Sequence, residues 1–348
     1  MATLADVARR AGVSPATASR IINGSSKPVT DALRERVLAA VDELQYVPNA
    51  HAQLLARNHR SAVGVIVHDV SDPYFAEITR GLQRVATADG RLVIICNTYR
   101  DPQKELEYVE LLRAHQAAAI ILAGSGYHDE QFTNSLDAKL RVYQATGGHV
   151  AVIGRHEHTG HAVIPANETG GYLMGAELYA LGHTQLGVIA GPKHLTTTTD
   201  RLTGLRRAAR EHGQTLPARH IVYADFDRAG GAAAAANLLD SHPQLTAIAA
   251  LNDSMAIGAL ALFRSRGIAV PDQISLVGFD DMPVARDVTP ALTTVRLPLA
   301  DMGARAMTLA LQPADPLHAP HIEHVSAELI RRESTAAPPG SQRDAALL

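Results

Sequence analysis

A chain of 348 residues with 46% hydrophobic content is long enough for two or three domains with sizeable cores. It has no run of 18 apolar residues and no basic-then-apolar leader, which reads against a membrane span or secretion. Its single cysteine excludes an internal disulfide framework and fits a reducing cytoplasm. The net charge is only −3, yet the first 60 residues hold eight Lys/Arg against five acidic residues, +3 there against −6 elsewhere. Positive charge gathered at one end marks a module suited to phosphates, and its modest size implies that useful affinity needs two copies.

The N-terminal residues predict two helices joined by a tight turn. Thr3 and Asp6 stand three apart as a capping box, Leu4, Val7, Ala8 and Ala11 share one face, and Gly12 sits where the chain must turn left-handed. Ser14 then caps a second helix that opens on Pro15 and closes at Asn23-Gly24. A turn of about three residues between them is helix-turn-helix spacing, whose second helix enters the major groove by its N-terminal end. There Arg20 can bond guanine bidentately, Pro15 and Ala16 offer apolar contact, and Thr3, Ser14, Thr17, Ser19 and Asn23 suit phosphates. The same hydroxyls and amide also serve as simple helix caps.

A third helix is expected over 30–46, with Val29, Leu33, Val37, Val41 and Leu44 four or three apart on one face. After Pro48-Asn49 comes a short helical stretch, Ala50 to Ala56, too short to stand alone in water, which reads as a hinge that forms on DNA.

These residues resemble the LacI/GalR family of bacterial transcription regulators. The match runs through Asp6-Val7-Ala8, Ala11-Gly12-Val13-Ser14, Thr17, Ser19-Arg20, Asn23-Gly24, Tyr46-Val47-Pro48-Asn49, Ala52 and Leu55. The resemblance implies a small all-α helix-turn-helix DNA-binding domain (1–46), a hinge helix and linker (47–60) and a homodimer on double-stranded operator DNA. It adds Leu4, Asn49, Ala52 and Leu55 to the DNA-contacting set, with paired hinges in the minor groove and Leu55 wedged between central base pairs.

From about residue 61 apolar runs alternate with helical stretches: 63–67, 92–96, 118–122, 150–153, 186–190, 221–223, 247–251 and 274–277. That alternation predicts parallel sheets covered by helices on both faces, in two similar lobes. A helix over 299–311 and late strands near 322–325 and 329–331 predict that the chain crosses back between them. The lobes are drawn as 61–160 with 296–312, and 161–295 with 313–335. The Pro- and Ala-rich residues 336–348 read as a disordered tail, and Cys96, ending an apolar run, as a core thiol.

Ligands of open α/β sheets bind beyond the carboxyl ends of the strands, where this chain places Asp72, Tyr74, Phe75, Arg155, Arg201, Phe226, Asn252 and Asp280. Flat aromatics, guanidinium groups and carboxylates in one cleft suit a sugar or another polyhydroxylated molecule. The resemblance extends here through motifs such as Ser71 to Ala76, Arg201 to Gly204, Asn252 to Gly258 and Val277 to Asp281. It implies a two-lobed α/β, periplasmic-binding-protein-like (type I) effector domain (61–335). In it Arg201, Asn252 and Asp280 bind the effector, Asp72, Tyr74, Phe75, Arg155 and Phe226 wall the pocket, Asp253 caps a helix and Asp281 serves structure.

Three positions depart from the family pattern: Gly154 stands where many relatives carry Asp, Asp72 replaces the usual Asn and Leu297 a common Gln. Thr196–Thr199 reads as a solvated loop, with the cleft as the alternative. His149, His156, His158 and His161 lack metal-ligand spacing. No catalytic, metal or cofactor motif stands out, so an enzyme is disfavoured. The reading is therefore a sequence-specific repressor released from DNA by a small sugar-like effector. A solute-binding transport protein is the alternative.

Overall fold

The computed structural model describes residues 2–22, 29–47, 62–156, 160–312 and 319–340. The chain divides into two compact units, 1–61 and 62–348.

The first unit contains α1 (Leu4–Ala11), α2 (Pro15–Ile22) and α3 (Asp31–Glu43). The Thr3 hydroxyl accepts from the Asp6 N–H at 3.3 Å while the Asp6 carboxylate accepts from the Thr3 N–H at 3.0 Å, so the expected capping box is formed. Gly12 holds φ 67° and ends α1; a Cβ there would stand 2.8 Å from the Arg36 guanidinium, which donates to the Ala11 carbonyl. Ser14 accepts from the Thr17 N–H at 3.2 Å and starts α2. Val7, Ala8, Ala11, Ala18, Ile21, Val37 and Ala40 are buried together, with Leu33, Val41 and Leu44 packed on them. The third helix is shorter than expected because Gln45, at φ 45°, turns the chain out of it. Its Thr30 makes no side-chain cap bond. The hinge lies outside the described residues.

The second unit runs β1 (Ala62–Val67), α4 (Pro73–Ala88), β2 (Leu92–Asn97), α5 (Pro102–Ala114), β3 (Ala119–Ala123), α6 (Glu130–Ala145), β4 (His149–Ile153), β5 (His161–Pro165) and α7 (Asn167–Ala180). It continues with β6 (Leu186–Ala190), α8 (Thr196–Glu211), β7 (Ile221–Tyr223), α9 (Arg228–Ser241), β8 (Ala247–Ala250), α10 (Asp253–Ser265), β9 (Ser275–Asp280) and β10 (Thr293–Arg296). Then come α11 (Leu299–Leu311), β11 (Ile322–Val325) and β12 (Glu328–Ile330). One sheet has the order β11-β5-β4-β3-β1-β2, all parallel. The other is β12-β10-β9-β8-β6-β7, parallel except for antiparallel β12. β3 and β6 are buried along their whole length, which is why they read as unbroken apolar runs.

The chain passes between the lobes three times, before α7, before α11 and between β11 and β12. This moves two of the expected lobe limits. Residues 161–165 and 322–325 belong to the first sheet, because β5 pairs with β4 and β11 pairs with β5. Short strands of mixed polarity carry no period that assigns them to a sheet. The tail also departs from expectation at its start: the Ala336 carbonyl accepts from His183 at 2.8 Å and Ser275 at 3.1 Å, so 336 is tied to the second lobe. Cys96 is half-buried on the edge strand β2 rather than enclosed, and burial raises its thiol pKa.

Candidate effector cleft and DNA-facing helix

On the first unit, Pro15, Ala16 and Arg20 are exposed on α2, with Thr17 and Ser19 half-exposed beside them. Arg9 pairs with Asp6 at 3.2 Å and Arg10 with Glu43 at 2.7 Å, whereas Arg20 enters none of the ion pairs among the described residues. The Ser14 and Thr17 hydroxyls lie 2.9 Å apart, and the Thr3 hydroxyl donates to Asp6 at 2.7 Å. Leu4 is half-buried and packs against the small core. Asn23, Asn49, Ala52 and Leu55 lie outside the described residues.

In the second unit, acidic and amide side chains just past the strand ends cap the helices that follow. Asp72, Asp101, Asp129, Asp227 and Asn252 accept from the backbone N–H groups of Tyr74, Gln103, Phe132, Gly230 and Met255. The cleft between the lobes is bordered by two of these turns, at Asp72 and Asn252. It has an empty volume of about 390 Å³, part of it open to solvent. Its lining brings together Asp72, Tyr74 and Phe75 from the first lobe with Arg201, Phe226, Asn252 and Asp280 from the second.

Arg201 anchors the second wall. Its guanidinium lies 3.5 Å from the centroid of the Phe279 ring, and it donates to Asn167 Oδ1 at 2.9 Å, to Asp280 Oδ1 at 3.1 Å and to the Leu251 carbonyl. Arg201 and Asp280 are each 3% exposed, so their pairing is what makes two buried charges tolerable. Burial pushes Asp280 up to about 7, partly offset by Arg201 and reinforced by Asp72. Asp280 also sits at φ 107°, an unusual conformation for a residue with a side chain. The Asn252 amide donates to the Phe226 carbonyl at 3.4 Å, while its oxygen is occupied by the cap of α10.

The lobes touch along one side of the cleft. Ser125 donates to the Thr197 hydroxyl at 2.6 Å, the Thr196 N–H to the Gly126 carbonyl at 3.0 Å, and the His128 N–H to the His194 carbonyl at 2.7 Å. Tyr127 stacks on His194 with centroids 5.7 Å apart.

Two family models match this sequence: bacterial regulatory proteins of the lacI family over residues 3–49, and a periplasmic binding protein-like domain over 176–335. The HTH-type transcriptional regulator GalR of Escherichia coli (strain K12) is 38% identical over 348 residues, covering 97% of this chain and 97% of that protein. The chain belongs to the lacI family of bacterial regulatory proteins. Its fold also matches a lac repressor dimer bound to operator and the anti-inducer ONPF (TM-score 0.85, 27% identity, 97% and 99% of the two chains). A second match is the regulator CelR in complex with cellobiose (TM-score 0.70, 29% identity, 96% and 100%). This lacI-family chain is therefore a DNA-binding transcriptional regulator, and the transport reading is set aside. Its relatives are regulators rather than enzymes. Among the described residues no helix is long and apolar enough to cross a membrane.

Arg155 is the cleft residue the structure does not deliver. Its guanidinium pairs with Asp200 at 2.7 and 3.1 Å, joining the end of β4 to α8 along the lobe contact. Asp253 does not cap α10, since Asn252 does; it is fully buried and accepts from the Met282 N–H at 2.8 Å and the Thr294 hydroxyl at 2.6 Å. Asp281, in keeping with a structural role, accepts from Arg296 at 2.7 Å and Arg332 at 2.5 Å. Thr196–Thr199 forms the first turn of α8 rather than a solvated loop, and Thr197 lines the cleft. Gly154 holds φ 115°, and a Cβ there would meet the Gly124 carbonyl at 2.2 Å, so this backbone leaves no room for an Asp. His156 and His161 bond backbone groups, to the Gly124 carbonyl at 3.1 Å and from the His321 N–H at 3.1 Å; His158 lies outside the described residues. The sequence reading missed His68, Arg100 and Ser125. Each follows a first-lobe strand, and that position past a strand end was the signal that could have found them.

Proposed function

We infer that this protein is a repressor that leaves its operator when a small sugar-like effector occupies the cleft. The observation that carries this reading is the cleft itself, walled from one lobe by Asp72, Tyr74 and Phe75 and from the other by Arg201, Phe226, Asn252 and Asp280. A ligand touching both walls has a different affinity for each lobe arrangement. Only that difference, typically about 1–3 kcal/mol, can shift the DNA equilibrium. The cellobiose bound to CelR and the operator bound to the lac repressor dimer support the same assignment for this chain. The acting form is a homodimer presenting two α2 helices to half-sites about one helical turn apart. Arg20 reads guanine, Pro15 and Ala16 touch bases, Thr3, Ser14, Thr17, Ser19 and Asn23 hold phosphates, and the segment carrying Asn49, Ala52 and Leu55 meets the minor groove.

The test is fluorescence anisotropy on a duplex selected from random DNA by the full chain, titrated with mono- and oligosaccharides. At least one sugar is expected to lower operator affinity tenfold or more. Indifference to every sugar would overturn the effector reading. Arg20→Ala is expected to select a site relaxed at one symmetric G·C pair, a loss of about 1–3 kcal/mol of discrimination.

A further inference from the structure

Arg100 differs from the other charged groups of the cleft. Tyr99 and Arg100 hold φ 54° and 60° in succession, a conformation that side-chain-bearing residues adopt at a cost. The Tyr99 N–H donates to the His68 carbonyl at 2.7 Å and the Arg100 N–H to the Thr98 hydroxyl at 3.3 Å, which fixes this turn. The side chain so aimed lines the cleft, with its Cζ 5.7 Å from the centroid of Phe226 on the opposite wall. Its Nε is buried with no hydrogen-bond partner, and it enters none of the ion pairs among the described residues. Arg201, by contrast, has Asn167, Leu251 and Asp280 as acceptors.

A guanidinium carries five N–H donors in a planar fork and no acceptor, so a ligand that displaces water here has to supply the oxygens for it. Planar, paired oxygens of a carboxylate or phosphate match that fork best. Burial, with Arg100 adding to it, holds His68 neutral, down to about 3. Burial raises the Asp72 carboxyl, partly offset by its helix-cap bond to the Tyr74 N–H and by Arg100.

We propose that Arg100 sets the effector class: a polyol bearing a carboxylate or phosphate, whose anionic group lies on the Arg100 fork beside Phe226. This rests on the sugar-cleft reading above and narrows it.

Isothermal titration calorimetry on the full chain with matched sets tests it: glucose, glucuronate and glucose 6-phosphate, and the galactose counterparts. The acidic member of at least one set is expected to bind at least tenfold tighter than its neutral partner, with a preference that weakens as salt rises. The carboxylate and phosphate arms identify which anion is taken. Arg100→Gln should bring the paired affinities within about threefold, and Arg100→Lys, which keeps the charge without the fork, should retain part of the preference. Should Arg100→Gln fail to fold, the wild-type preference, its salt dependence and Arg100→Lys still decide. Neutral hexoses binding as tightly as acidic ones, or a preference that survives Arg100→Gln, would overturn the proposal and leave the sugar reading standing. Absence of binding by every sugar, acidic or neutral, would remove both.

Discussion

The two walls of the cleft are built in opposite ways. On the second lobe, Arg201, Asn252 and Asp280 bond one another's neighbours and the backbone, and all three are nearly inaccessible. On the first lobe, Arg100 Nε is buried with no protein acceptor, and Asp72 uses one oxygen on its own helix cap. The second wall is completed by folding, whereas the first leaves one buried donor for a ligand to satisfy. A preformed wall lowers the ordering cost of binding, and an unsatisfied one makes binding selective, because a ligand lacking the matching oxygens leaves donors buried and unpaired.

Removing Arg201 should give the largest effect. Arg201→Ala strands the Asp280 carboxylate in a buried site and is expected to cost about 3–5 kcal/mol in urea unfolding, while Arg100→Ala stays within about 0.5 kcal/mol of wild type. Equal losses for the two would break the comparison between the walls.

The walls should also titrate in opposite senses. Asp280, raised from 3.8 to about 7, keeps its proton longer in the folded chain. Its contribution is therefore fully present below about pH 4 and lost as pH rises through 7. His68, lowered from 6.5 to about 3, refuses a proton in the folded chain; its contribution is present above about pH 6.5 and lost as pH falls toward 3. Melting curves from pH 4 to 8 should show Asp280→Asn flattening the loss toward neutral pH and His68→Gln flattening the loss toward acid. A profile unchanged by either variant would show that these groups do not set the pH response.

The smallest effect belongs to the lobe contact. Arg155 and Asp200 have side chains 41% and 23% exposed, so solvent screens the pair and Arg155→Ala is expected to cost no more than about 1 kcal/mol. It should alter effector affinity less than tenfold by calorimetry. A complete loss of effector binding would return Arg155 to the cleft.

Legibility in the sequence followed the range of the interaction. The Thr3 capping box, the Gly12 turn and the Ser14 cap are bonds within four residues, so residue type and spacing determine them, and α1 and α2 form where expected. The buried strands were equally readable, since a strand covered on both faces must be apolar throughout. His161–Pro165 and Thr293–Arg296 were not, because their place in a sheet is set by partners far along the chain. The sequence put Arg155 past a strand end like its neighbours, but only the approach of α8 brought Asp200 within reach and drew it out of the cleft. Arg100 is the converse case. Its place past a strand end marked it no more than its neighbours; its role as an unsatisfied donor shows only when two positive φ values aim it at a wall supplied by a residue more than a hundred positions away, Phe226. Short-range bonding chemistry and strand burial are written locally, while the satisfaction of a buried polar group depends on everything packed around it.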